Sequence, residues 1–75
     1  MSIPRGRQFW KMSGSGNDFI FFDSRIEAPG YLALPAAVER LCSRGSGIGA
    51  DGVVFLQPHE TEAFRIRYIN RDGSV

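Results

Sequence analysis

The run Gly47-Ile48-Gly49-Ala50-Asp51-Gly52 constrains this chain more than any other stretch, because three glycines in six residues commit the backbone to a shape that side chains would obstruct. Glycine reaches positive φ freely and lets another group approach the main chain closely, and it is entropically unfavourable where that freedom is not needed. The six residues satisfy the G-x-G-x-x-G spacing of dinucleotide-binding turns. That fingerprint requires a strand in front and a helix behind, so that a pyrophosphate meets the helix N-terminus. Here the order is reversed. Leu34, Ala37, Val38, Leu41 and Cys42 recur at three-and-four spacing and predict a helix over 34–44 ahead of the glycines, whereas Val53-Val54-Phe55-Leu56 predicts a strand over 52–57 behind them. A nucleotide site is not expected at this turn.

Pro35 suits the first helical turn, where its missing N–H is not needed. Gly45 is the expected stop, with Arg44 in the last turn set against the helix dipole. Upstream, Phe9 and Trp10 give apolar weight to a strand over 8–12, and Ser13-Gly14-Ser15-Gly16-Asn17 has to turn. The run Phe19-Ile20-Phe21-Phe22, bounded by Asp18 and Asp23, predicts a second strand over 18–23 covered on both faces. Residues 24–34, with Pro29-Gly30, read as a loop. Residues 58–62 form a polar connection. Over 63–70 the pattern alternates, with Phe64, Ile66 and Tyr68 on one face and Arg65, Arg67 and Ile69 on the other, which puts Asn70 on the expected inward, apolar face. Residues 1–6 read as a loose lead-in, and Arg5, Arg7 and Lys11 as a solvated basic entry to the first strand. The fold class is α/β (α+β).

Seventy-five residues make one domain at most, and a lone cysteine cannot form an internal disulfide. Nine Gly and four Pro spend chain on turns, so 43% hydrophobic residues and six Phe suit part of a larger core better than a free-standing miniature. A formal charge of +1 argues against a nucleic-acid partner. The apolar runs are far too short to cross a membrane, so no membrane association is expected and a cytoplasmic setting follows.

Among residues that could carry chemistry, Cys42 lies on the apolar helical stripe, where a thiol behaves as a small hydrophobe with a raised pKa. His59 has no second ligand at metal spacing. Asn17 is either an amide aimed at a ligand or a turn residue that tolerates left-handed backbone. Asn70, on the inward side of a strand, must find partners or lose about 1–3 kcal/mol. Asp18, Asp51 and Asp72 flank glycine turns and read as turn or cap residues.

Taken together, Lys11-Met12 with Gly14-Ser15-Gly16-Asn17-Asp18-Phe19, then Arg44 with Gly47-Ile48-Gly49-Ala50-Asp51-Gly52, then Asn70-Arg71-Asp72-Gly73-Ser74, resemble the K-M-x-G-x-G-N-D-F, R-x-x-G-I-G-A-D-G and N-x-D-G-S patterns of diaminopimelate epimerases, in order. The resemblance covers most of residues 8–74. It implies two similar domains, each a curled sheet or barrel around a central helix, with residues 1–75 forming the first portion of the first domain. It implies a pyridoxal-phosphate-independent, cofactor-free epimerase in which two cysteines act on opposite sides of the α-carbon, interconverting LL- and meso-diaminopimelate for lysine and peptidoglycan. Asn17 and Asn70 match family asparagines that bind the substrate. No catalytic cysteine is expected in this chain; the first should come just after Val75, so the chain reads as a fragment, inactive alone, whose partners are the amino-acid substrate, the rest of the polypeptide or a second chain, and in the case of a homodimer another copy. Two departures stand out: Gly52 occupies a position where some members carry a substrate-contacting Gln, and Ser15 replaces the usual Leu, which predicts looser packing behind the turn. A racemase of another amino acid, such as histidine or proline, or a non-catalytic binding module, is the alternative.

Overall fold

The computed structural model describes residues 7–25 and 27–75. The lead-in at 1–6, with Arg5, and Ile26 in the predicted loop lie outside them. A mixed four-stranded sheet carries one helix on one face, in the order β1 (Trp10–Gly14), β2 (Asn17–Asp23), α1 (Pro35–Cys42), β3 (Gly52–Gln57) and β4 (Arg65–Asn70). β1 and β2 are antiparallel, β2 and β3 parallel across the helix, and β3 and β4 antiparallel. The sheet is open rather than closed into a barrel.

The first strand lies two residues later than expected because the turn is tighter than the small-residue run suggested. Gly14 pairs with Asn17, leaving only Ser15 and Gly16 to reverse the chain, at φ 53° and 81°. Positive φ at both central residues matches the right-handed twist of the flanking strands. Ser15 is exposed, so its substitution for Leu loosens no buried packing.

Gly30–Ala33 forms a short 3₁₀ turn that buries Leu32 within the segment expected to be plain loop. The helix behind it is shorter than the periodicity implied. Leu34 is its extended N-terminal flank and is 56% exposed, while Ala37, Val38, Leu41 and Cys42 are buried. Val38, Leu41 and Cys42 cluster with Ile20 and Phe22 of β2, Val53 and Phe55 of β3, and Ile69 of β4. Phe22 and Phe55 stack with ring centroids 5.5 Å apart. With Ile20 and Phe22 turned to the helix, Phe19 and Phe21 face the other way and are only half-buried, so β2 is not covered on both faces.

β4 is turned over relative to expectation. Its buried residue is Ile69, which meets the helix, whereas Ile66 is 62% exposed on the opposite face with Tyr68 and Asn70. Alternation alone could not choose between the faces, and the more apolar one is not the one the helix covers. The basic entry is likewise engaged rather than solvated. The Arg7 guanidinium lies 5.6 Å over the Phe22 ring, donates to Ser24 Oγ at 3.1 Å and pairs with Glu27; Lys11 pairs with Asp18 at 3.2 Å. No described helix is long and apolar enough to cross a membrane.

α1 ends at Cys42 rather than at Gly45, and the glycine run terminates it. Gly47 N–H donates to the carbonyl of Ser43, Ile48 and Gly49 both donate to that of Leu41, and Ala50 to that of Cys42, at 2.9–3.1 Å. These bonds satisfy carbonyls that a helix end leaves unpaired, and they occupy the N–H groups that a dinucleotide turn would offer to phosphate. A Cβ on Gly47 would overlap the Arg40 carbonyl and lie 2.7 Å from that of Leu41, while one on Gly45 would meet nothing. Gly47→Ala should therefore destabilise the protein by about 1–3 kcal/mol through overpacking, and Gly45→Ala should stay within about 0.5 kcal/mol of wild type. Urea midpoints of the two variants check both outcomes.

Candidate functional site

Where β2 and β3 begin, two turns meet. Asp18 N–H donates to Asp51 Oδ2 at 3.0 Å, and Asp51 N–H donates to Asp18 Oδ1 at 3.2 Å and to the Asp18 carbonyl at 3.0 Å. Each carboxylate thus caps the other's backbone, consistent with turn and cap roles for both. Two facing carboxylates need a cation between them. Arg44 provides it, reaching Asp18 through both terminal nitrogens at 3.1 and 2.8 Å and Asp51 at 3.4 Å. Arg44 lies beyond the helix, so its role is this ion pair and not the dipole position expected for it. The hydrogen bond from Arg44 is the largest cause holding the Asp18 carboxyl well below the usual range; burial opposes it, and Lys11 and Asp51 add to the depression.

Asn17 opens β2 beside this clasp. The positive φ angles of its hairpin fall on Ser15 and Gly16, so Asn17 does not serve as the left-handed turn residue. With Ser13, Gly16, Asp18, Arg44 and Asp51 it lines an open cleft of about 410 Å³. Asn70 is not part of that cleft. It ends β4 and is tied to the following turn, its N–H donating to the Ser74 carbonyl at 2.8 Å and its Nδ2 to Ser74 Oγ at 3.2 Å. Asp72 accepts from Ser74 N–H at 2.9 Å, the turn role expected of it.

The two asparagines nevertheless share a face and an end of the sheet. Phe19 and Asn70 both pair with Gly52, so Asn17, Phe19, Gly52, Tyr68 and Asn70 point away from the helix. Two strand spacings and two residues of rise separate the Asn17 and Asn70 Cα atoms by roughly 12 Å. Between them Tyr68 covers Gly52: a Cβ there would fall 2.8 Å from Tyr68 Cε2.

Cys42 is 4% exposed, and burial is the main cause that pushes its thiol pKa up, with Asp18 and Asp51 adding to it. It is a core residue, as its place in the helical stripe implied. His59 accepts from the N–H groups of Thr61 and Glu62 at 3.3 and 3.2 Å, shaping its loop. The Arg44 clasp has no local sequence signature because its main partner, Asp18, lies 26 residues away, although an Asp directly beside each glycine turn is the available signal.

Asp18, depressed in the folded state, contributes stability that is present above its unfolded value near 4 and is lost as pH falls through the folded value. Arg44→Ala should return the Asp18 titration toward the ordinary carboxylate range and move the onset of acid unfolding to higher pH. Carboxyl-detected NMR titration of wild type and variant checks the sign.

A family model described as diaminopimelate epimerase matches residues 9–75. The chain is 49% identical over 68 residues to the diaminopimelate epimerase of Gemmatimonas aurantiaca, covering 89% of this chain and 24% of that protein. It is 48% identical to that of a Cyanothece species, with the same coverage. Its identity to the Archaeoglobus fulgidus diaminopimelate epimerase is 43%, over 88% of this chain and 24% of that protein. The chain spans about a quarter of the length of the curated relatives it matches.

Proposed function

The chain belongs to the diaminopimelate epimerase family, and on that premise we propose that it supplies the substrate-orienting part of a pyridoxal-phosphate-independent epimerase interconverting LL- and meso-diaminopimelate in the cytoplasm. Residues 1–75 are the opening portion of the first of two similar domains. The observation that carries the reading is the placement of Asn17 and Asn70 on one face and at one end of the sheet, at a separation suited to an extended diamino diacid.

Removing a proton α to a carboxylate is difficult because the carbanion is poorly stabilised in water. An enzyme without an electron sink needs preorganised donors on the carboxylate, a cleft that excludes water, and an acid and a base on opposite sides of the carbon. One thiolate takes the α-proton and a thiol returns a proton to the other face, inverting the centre. Burial of Cys42 in the core beneath the sheet argues against its serving as either group. On this reading both sulfurs belong to polypeptide outside these residues. Asn17 and Asn70 fix the substrate's amino-acid head or its distal end so that the α-hydrogen faces sulfur, and the Asp18–Asp51–Arg44 clasp holds the backbone that presents Asn17.

The full-length protein containing this chain should exchange the α-proton of diaminopimelate for deuterium in deuterated water and lose that activity with iodoacetamide. Asn17→Ala and Asn70→Ala should each lower kcat/KM at least about tenfold, the loss of roughly one good substrate hydrogen bond, at little change in melting temperature. Exchange of proline or histidine but not diaminopimelate would reassign the substrate, and exchange of none of the three would end the reading.

A further inference from the structure

We propose that Tyr68 is a third substrate-contacting residue of this site, its phenol hydroxyl carried over Gly52 to the sheet end where Asn17 and Asn70 lie. The inference rests on the epimerase reading above. Tyr68 is paired with Val54, yet its ring leans toward the start of β3, where the hypothetical Cβ of Gly52 would fall against the ring and the hydroxyl. Only glycine at position 52 leaves room for that lean. The ring is held in place from the other side by Phe19, edge-on, at 5.6 Å between centroids and 78° between planes. A ring clamped between an aromatic neighbour and a bare backbone has little freedom, so the hydroxyl at its tip is preorganised.

That hydroxyl is loosely engaged. Its partner is the Asp51 carbonyl at 3.5 Å, well beyond the usual 2.7–2.8 Å of an O–H···O bond, so a ligand oxygen can compete for the proton. Burial and the nearby Asp51 carboxylate push the phenol pKa up, and the group stays a donor across the physiological range. Donors aimed at a carboxylate fit the same ligand chemistry as the two amides, and the placement over β3 lies between the strands that carry them.

Tyr68→Phe in the full-length protein removes the oxygen and keeps the ring. The KM for diaminopimelate should rise about tenfold, with kcat within about twofold and an unchanged melting temperature. If the wild type exchanges the α-proton normally and Tyr68→Phe has the same KM, the hydroxyl does not contact substrate and the inference fails while the epimerase reading stands. A lowered melting temperature with unchanged KM would make the hydroxyl purely structural and overturn the inference as well. Absence of exchange in the wild type would remove the epimerase reading and this inference with it.

Discussion

The rest of the structure depends on how the backbone after α1 folds back onto the helix end. Four successive N–H groups, from Gly47 to Ala50, return to the carbonyls of Leu41, Cys42 and Ser43. Such a close return is open only to a residue without a side chain at position 47. Once the chain is pinned there, Asp51 arrives opposite Asp18, Gly52 begins β3 level with Phe19, and β4 pairs so that Asn70 ends beside Gly52. One helix terminus thereby sets the register of three strands.

Much of this was legible from residue order. The boundaries of β3 agree with expectation, and the helical stripe identified Ala37, Val38, Leu41 and Cys42 as the buried face. The failures have physical causes. β1 begins later than its aromatic weight suggested because a two-residue reversal needs only positive φ at Ser15 and Gly16, which lets strand pairing run through Gly14. The side of β4 carrying Phe64, Ile66 and Tyr68 is richer in apolar residues and reads as inward, while the helix selects the side with Ile69. Asn17 and Asn70 were identified by motif, but their shared face follows from strand register, which no local pattern encodes. Arg44 reads locally as a helix-end cation because Asp18, its main partner, lies 26 residues away.

Charge and apolar surface are separated in space. Lys11, Asp18, Arg44 and Asp51 gather at the end where the turns meet, while Trp10, Met12 and Ile66 leave apolar area exposed on the sheet face turned from the helix. At the other end of β2, Arg7 closes the core with a planar cation laid on Phe22 and hydrogen bonded at its rim. Lysine would keep the charge there and lose the flat surface that makes the contact.

The parallel pairing of β2 with β3 has a kinetic consequence. The two antiparallel ladders join neighbours in sequence across short reversals and can zip early, whereas the parallel ladder spans the whole helical crossover. Chain-closure entropy must be met before those long-range contacts repay it. The crossover is thus the natural bottleneck in assembly, and the glycine hook on the helix end, by shortening the effective loop, is the element placed to speed it.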